Sequence, residues 1–308
     1  MNPLLATLGG KLTERWLNLL VLPGALFLAA AAVGTTTGHR HWHDADRLRT
    51  TMDDLAAHPA LDRTGTAALL VALVLLAASA ASLAAQFLGS AIEWYWLRFG
   101  RDPLSRALTA RRARRWKERD RRLDEAVGQA QRTGTGPDGA VLVPRGTLVR
   151  IQTLTEARDR IALREPARPT WYGDRMQATA DRVEAAYGVD LAALWPRLWL
   201  LLPEPAVRQI QSAQESFGAA ARLAAWGLAY ALLACWWWPA APVALGCAAV
   251  ARARARTALE ALAGLIEAAV DVHGRELAAR VGLLAPESAG LLAHDTGDAM
   301  SEVFRKAE

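Results

Sequence analysis

An uninterrupted apolar stretch in the first third of this chain sets the class of fold that the chain can adopt. Residues Thr66–Gly89 are 24 apolar or small residues with a single Gln among them, and the aromatic sequence Trp94, Tyr95, Trp96 follows closely. A helix of this length covers about 36 Å, which exceeds the roughly 30 Å hydrocarbon core of a bilayer. Aromatic residues favour the membrane–water interface. The pattern therefore predicts a transmembrane helix over residues 66–97.

Charge is unevenly distributed along the 308 residues. The net charge is +5, but residues 98–122 hold eleven Lys/Arg against three acids, so this segment carries +8 and the remainder −3. A basic segment directly after a span is expected on the cytoplasmic side, against anionic lipid rather than nucleic acid. The residues expected to contact lipid head groups are Arg98, Arg101, Arg111, Arg112, Arg114 and Arg115.

Two further regions are apolar enough to enter a membrane. Residues 16–33 predict a first span, and the nearly neutral loop at 39–63 is expected outside because it lacks the excess of basic residues. Residues 222–256 are apolar but broken at Pro239 and Pro242, with arginines on both flanks. A hairpin, which either crosses or re-enters, keeps both flanks inside, and one long span is the alternative.

These patterns predict an all-α integral membrane protein with four transmembrane helices and both termini in the cytoplasm. An N-terminal lead and the first pair of spans occupy residues 1–97, and a basic, helical cytoplasmic domain occupies 98–221. The Pro-broken hairpin at 222–256 is followed by an amphipathic helix and a loose tail at 257–308.

Local signals divide the cytoplasmic part into helices. A charged helix is expected over 98–132, and residues 140–151 form either a small hairpin or a turn leading into a helix over 147–164. A helix over 176–187 is expected to end at Gly188 in a left-handed cap, with Asp190 capping the next turn.

The amphipathic helix after residue 256 needs a partner for its apolar face. That face recurs at spacings of three and four and consists of Leu259, Leu262, Ile266, Val270, His273 and Leu277. Because one small domain offers limited cover for such a face, we expect the chain to form a homo-oligomer.

Polar side chains also recur at helical spacing along the predicted span at 66–97. They are Ser79, Ser82, Gln86, Ser90 and Glu93, and Asn18 of the first span is their expected partner. Lipid cannot satisfy such groups, so this stripe either lines a pore or packs against another helix. Small residues repeat every fourth position of the same helix, which favours close packing.

The sequence lacks the motifs of nucleotide-binding loops, serine hydrolases and zinc proteases. We therefore expect no enzyme, no cofactor and no metal site. His39, His41 and His43 alternate in a loop and offer a minor metal-binding alternative. Glu93 and the histidine loop are the candidates for an intramembrane enzyme, the least favoured class.

Two segments carry a resemblance to known proteins. The sequence from Tyr187 to Pro203 (YGVDLAALWPRLWLLLP) and the opening from Lys11 to Gly24 (KLTERWLNLLVLPG) resemble a group of uncharacterised, multi-spanning membrane proteins of actinobacteria. The resemblance implies a bacterial inner-membrane location, and it carries no catalytic residues.

The function predicted from these features is that of a homo-oligomeric inner-membrane protein that forms or gates a pore. Such a protein could act as a membrane-disrupting effector controlled by its cytoplasmic domain. The alternative is a non-catalytic membrane anchor that recruits a cytoplasmic protein partner.

Overall fold

The computed structural model describes residues 21–39, 46, 49–50, 53–54, 57, 64–100, 102–133, 144–285 and 290–305. Regular structure within these residues is helical throughout, with no strand, which confirms the all-α prediction. The main helices in chain order are α1 (Leu22–Thr37), α2 (Thr64–Leu97), α3 (Pro103–Thr133), α4 (Arg145–Asp159), α5 (Trp171–Tyr187), α6 (Leu191–Trp199), α7 (Glu204–Leu233), α8 (Ala240–Arg280) and α9 (His294–Arg305).

The chain divides into two compact units. The apolar unit comprises Met1–Glu93 and Ser216–Ala255, and the polar unit comprises Trp94–Glu215 and Arg256–Glu308. The C-terminal segment therefore belongs to the same unit as residues 94–215, although the sequence suggested a separate region.

Two of the described helices are long and apolar enough to cross a membrane. They are Gly65–Leu97 and Glu204–Leu233, whereas the apolar helix α1 is shorter. In the most apolar window of the first helix only 11% of residues are buried, although the core helix of a water-soluble protein is mostly buried. Its large exposed side chains include Leu69, Leu73 and Phe87. An apolar surface of this extent suits lipid or a protein partner better than water.

Helices in the apolar unit meet where their side chains are smallest. At Gly24 of α1, an added Cβ atom would lie 1.9 Å from the carbonyl oxygen of Ala78 in α2, so the two backbones touch. Phe27 of α1 packs edge-on against Tyr230 of α7, with ring centroids 5.4 Å apart. At Gly227 of α7, an added Cβ would lie 3.3 Å from Cys247 of α8. Close packing at small residues is typical of helices in lipid.

The break predicted inside residues 222–256 is present as a tight turn. Helix α7 ends at Leu233 and α8 begins at Ala240, with Pro242 in the first turn of α8, where its missing N–H leaves no helical hydrogen bond unmade. Helix α8 then runs without interruption for 41 residues, so the second hairpin arm and the predicted amphipathic helix are one element.

The C-terminal end of helix α5 agrees with the prediction, and its N-terminal end does not. Gly188 adopts a φ of 67° at the C-terminus, and the Asp190 carboxylate accepts hydrogen bonds from the Ala192 and Ala193 amides, as expected. The helix begins at Trp171 rather than Met176 because the Thr170 hydroxyl accepts a hydrogen bond from the amide of Gly173, an N-cap that the sequence prediction overlooked.

The apolar face of α8 is covered within the chain. Leu259, Leu262, Ile266, Val270 and Leu277 are all buried, and His273 is half-buried. This face therefore no longer argues for self-association, and the homo-oligomer stays a prediction.

The prediction of a loose C-terminal tail is wrong for residues 294–305, which form helix α9. The Ser301 hydroxyl accepts a hydrogen bond from the Asp190 amide at 2.9 Å, and Arg305 contacts the Asp190 carboxylate at 3.0 Å. At Gly297, an added Cβ would lie 1.7 Å from the carbonyl oxygen of Tyr187. The polar composition of the tail hid a buried side formed by Met300 and Phe304.

Candidate functional site: the end of helix α2

Side chains from the segment before α5 hold the last turn of α2. Arg168 donates a hydrogen bond from Nη1 to the carbonyl oxygen of Leu97 at 2.9 Å, and the Thr170 hydroxyl donates to the carbonyl oxygen of Trp96. The last carbonyls of a helix have no partner within that helix, so these donors satisfy groups that otherwise need water. We call Arg168, Thr170 and Tyr172 the exit clamp.

An aromatic contact completes the exit clamp. The ring of Tyr172 stacks on Trp96, with centroids 4.5 Å apart and planes inclined by 27°. Gly173 lies beside them, and a Cβ there would meet the carbonyl oxygen of Trp96 at 3.3 Å and Arg168 Cδ at 2.7 Å. The start of α5 thus approaches the end of α2 closely, and a side chain at position 173 would require Arg168 to shift.

Arg168 is the most constrained cation of the exit clamp. Its residue is only 9% exposed, its guanidinium lies 3.7 Å from the centre of the Phe99 ring, and Nη2 donates to Gln177 Oε1 at 2.6 Å. Burial lowers the pKa of Arg168 below its ordinary value, while the nearby charges of Asp174 and Asp181 oppose that shift. Removing a guanidinium group from water is costly, and the contacts with Leu97, Phe99 and Gln177 offset that cost only in this position.

A half-buried ion pair lies next to the exit clamp. Arg112 Nη1 lies 2.6 Å from Asp174 Oδ2, and Asp174 Oδ1 accepts hydrogen bonds from the Ala167 and Arg168 amides at 3.0 and 2.8 Å. Arg112 also donates to the carbonyl oxygens of Arg168 and Ile161 at 2.5 and 2.6 Å. Burial raises the pKa of Asp174, and the Arg112 charge opposes this rise.

The predicted head-group arginines separate into different roles. Arg112 donates hydrogen bonds to two backbone carbonyls and Asp174 within the polar unit, which argues against the predicted contact with lipid. Arg98 pairs with Asp102 at 2.7 Å and lies 4.6 Å over the Trp94 ring. Arg101 lies outside the described residues. The remaining three, Arg111, Arg114 and Arg115, are exposed.

The predicted polar stripe on α2 is not one continuous polar face. Ser82 is only 2% exposed and lies beside Gly24 of α1, so it belongs to the packing face of the helix. Ser79 and Ser90 donate their hydroxyl hydrogens to carbonyl oxygens of their own helix, those of Leu75 and Gln86, at 2.8 and 3.2 Å.

Three members of the stripe remain accessible near the end of α2. Ser90 is exposed, Gln86 and Glu93 are half-buried, and Asn18 lies outside the described residues. Glu93 Oε2 lies 3.3 Å from the position that a Cβ of Gly218 would take, and Arg222 Nη1 lies 3.5 Å from the same point. Opposite charges therefore flank Gly218 within the apolar unit.

A groove of about 450 Å³ lies elsewhere in the polar unit. Its charged lining is mixed and consists of Glu156, Asp159, Arg160, Arg175, Arg256 and Glu260, with Leu163 and Trp171 completing the wall. The groove therefore offers carboxylates, guanidinium groups and an indole surface to a ligand.

One group of side chains in the described residues has the ligand types of a metal site. His294, Asp295 and Asp298 have ligand atoms within 4.8 Å of one another, and all three are exposed. His294 Nδ1 lies 3.2 Å from Asp298 Oδ2, which is also the geometry of an ordinary hydrogen bond. The predicted alternative at His41 and His43 lies outside the described residues.

Sequence reasoning missed the exit clamp. Thr170 directly before an aromatic–glycine segment was a detectable N-cap signal, and Pro166 and Pro169 marked the chain break before it. The pairing of Thr170 and Arg168 with carbonyls more than 70 positions earlier leaves no periodic signal in the sequence. No protein-family model, curated protein or solved structure matches this chain.

Proposed function

We propose that this chain is a multi-pass membrane protein whose polar unit controls the membrane permeability provided by its apolar unit. The observation that carries the proposal is the exit clamp. An anchor needs only a flexible linker to its membrane helix, whereas here Arg168, Thr170 and Tyr172 fix the last turn of α2 by hydrogen bonds and ring stacking. We propose that the polar unit acts on permeability through this last turn.

We propose that the protein lies in the plasma membrane of a bacterial cell. It has four membrane-embedded segments, and both termini are in the cytoplasm. The segments are α1, α2, the second half of α7 and the first half of α8. Basic residues flank the hairpin on both sides, at Arg222 and at Arg252, Arg254 and Arg256. The positive-inside rule then places both flanks on the cytoplasmic side.

Polar groups near the end of α2 support a pore formed by several copies. Gln86, Ser90 and Glu93 are at least partly accessible on a helix whose other exposed side chains are apolar. Lipid satisfies such groups poorly, whereas contact between copies shelters them or lines a water path with them. This is the basis for proposing a homo-oligomer.

Dye leakage from liposomes tests the proposed pore. Leakage through wild-type protein should rise more steeply than in proportion to the protein-to-lipid ratio, because copies must meet. Gln86→Leu should lower leakage at equal folded protein, since it removes a polar group from the path. The matched control is Phe87→Leu at the neighbouring, 76% exposed position, which changes no polar group. Equal leakage from all three proteins would contradict the proposal.

A second candidate function, a membrane anchor that recruits a cytoplasmic partner, is favoured by the outward face of α6. Ala192, Pro196 and Leu200 are exposed on one side of this short helix, and Leu200 is 82% exposed. An apolar surface of this kind in a polar unit suits a protein partner. Tight liposomes, together with partner binding that Leu200→Ser abolishes, would favour the anchor over the pore.

A further inference from the structure

We propose that the outward side of α3 at Arg111, Arg114 and Arg115 binds the phosphate groups of anionic phospholipids. The inference rests on the membrane location in the proposed function, but it does not depend on a pore. It concerns only the three arginines that the structure leaves exposed, from the larger set that the sequence suggested.

The next turns of α3 also contain basic residues, and three of them contact acidic side chains. Arg121 lies 2.6 Å from Glu118 and 3.9 Å from Glu125, Arg122 lies 2.9 Å from Glu118, and Lys117 lies 2.7 Å from Glu165. Their charges are therefore balanced locally, which weakens their attraction to an external anion.

Arg111, Arg114 and Arg115 are arranged differently. Spacings of three and four residues place their side chains on one side of the helix, where like charges repel one another. In the part of the chain that the structure describes, none of the three forms an ion pair or a side-chain hydrogen bond. An array of phosphate groups would relieve this repulsion, because phosphate accepts hydrogen bonds from guanidinium groups as well as balancing their charge.

Exposed apolar residues next to this basic group favour a lipid surface over nucleic acid. Leu104 lies two helical turns before Arg111 and is 65% exposed. Phe99, between α2 and α3, is 67% exposed, and Trp94 in the last turn of α2 is 63% exposed. Aromatic and aliphatic side chains followed by arginines are typical of helices at a membrane interface. A nucleic-acid backbone would match the arginines but leave Leu104 without a role.

Arg112 shows that only one side of α3 exposes its arginines. Arg112 lies one residue away, yet its guanidinium is bound internally by Asp174 and two backbone carbonyls. Adjacent arginines thus have opposite roles, so a substitution at Arg112 tests folding and substitutions at the other three test lipid binding.

The experiment measures how strongly the full chain selects anionic lipid. Protein is reconstituted into phosphatidylcholine vesicles with a trace of spin-labelled phosphatidylglycerol or spin-labelled phosphatidylcholine, and electron paramagnetic resonance gives the relative association of the two probes. Wild type should prefer phosphatidylglycerol by about fivefold, the effect of one basic residue close to the surface. Arg111→Gln with Arg114→Gln and Arg115→Gln should lower the preference severalfold, while the basic flanks of the hairpin keep it above one.

Two control variants keep the outcome interpretable. The triple Arg→Lys variant should keep the preference, because charge is retained. Arg121→Gln with Arg122→Gln should also keep it, because those charges are already paired. A folded triple Gln variant with an unchanged lipid preference would overturn the inference. A triple Gln variant that loses binding to duplex DNA but keeps its lipid preference would overturn it as well. Unchanged leakage in the pore assay would leave this result untouched, so the two proposals can fail separately.

Discussion

Helices in the apolar unit meet at glycine and at aromatic edges, whereas those in the polar unit meet through charged side chains that reach backbone carbonyls. Gly24 of α1 touches Ala78 of α2 directly. In the polar unit, Arg112 makes three short polar contacts, with the carbonyl oxygens of Ile161 and Arg168 and with the carboxylate of Asp174. The difference follows from the surroundings that we propose for each unit. In lipid, burial of apolar side chains does not drive helix association, so helices associate through close packing of complementary surfaces. In water, polar groups that become buried need hydrogen-bond partners.

The comparison predicts that the apolar unit is the less tolerant of added volume. Gly24→Val should cost about 3 kcal/mol or more, because its Cβ would stand 1.9 Å from a backbone oxygen that cannot rotate away. Size-exclusion chromatography of detergent-solubilised protein should show loss of the folded peak. Gly246→Val is the matched control, since an added Cβ there meets nothing within 4 Å. If both variants kept the folded peak, or both lost it, close packing at Gly24 would not explain the association of α1 and α2.

In the polar unit the vulnerable group should be a charge. Asp174→Ala leaves the Arg112 guanidinium, whose side chain is 18% exposed, without its carboxylate. Removing the carboxylate from this half-buried pair should cost about 2 kcal/mol of unfolding free energy, because Arg112 keeps its two carbonyl partners. Denaturant unfolding measures this, with Asp124→Ala on the exposed side of α3 as the control of near-zero effect. A loss below about 1 kcal/mol would mean that carbonyl contacts alone hold Arg112.

The exit clamp should show a smaller and more local effect. Thr170→Val removes both the N-cap of α5 and the donor to the Trp96 carbonyl, which should cost about 1–2 kcal/mol. Hydrogen exchange should accelerate in the first turn of α5 more than in the rest of the helix. Thr153→Val, at an exposed position of α4, should leave exchange in α5 unchanged.

The smallest expected effect concerns pH and helix α9. Burial acts against ionisation of Asp190, but hydrogen bonds from Arg305 and from the Ala192 and Ala193 amides outweigh it and lower the pKa below 3.8. A lowered pKa means that the stabilisation is present above pH 3.8 and is lost as the pH falls through the folded-state value. Because the Arg305 side chain is 62% exposed, the pair should contribute less than about 1 kcal/mol.

Asp190→Asn isolates this ion pair, since asparagine keeps the N-cap of α6. The difference in unfolding free energy between wild type and Asp190→Asn should be positive at pH 7 and should shrink below pH 3.8. A difference that stays constant over this range would show that Asp190 acts on α9 through its cap alone.

The sequence predicted those parts of the fold that depend on local chemistry. Gly188 and Asp190 marked helix ends correctly because left-handed caps and side-chain caps need particular residues. The apolar run before Trp94 likewise predicted α2. By contrast, the exit clamp depends on contacts across more than 70 positions, which a periodic pattern does not encode. Arg111 and Arg112 look alike in the sequence, and only the packing of α3 separates an exposed cation from a half-buried, paired one.

Dye leakage after loosening the exit clamp tests the central claim most directly. Arg168→Gln with Thr170→Val removes both donors to the end of α2, and Arg150→Gln with Thr153→Val makes the same chemical changes at exposed positions of α4. If the polar unit restrains α2, the first pair should raise leakage from liposomes by at least about fivefold at equal folded protein, and the second should not. Equal leakage from both folded variants and wild type would contradict the claim that the exit clamp controls the permeability of the apolar unit.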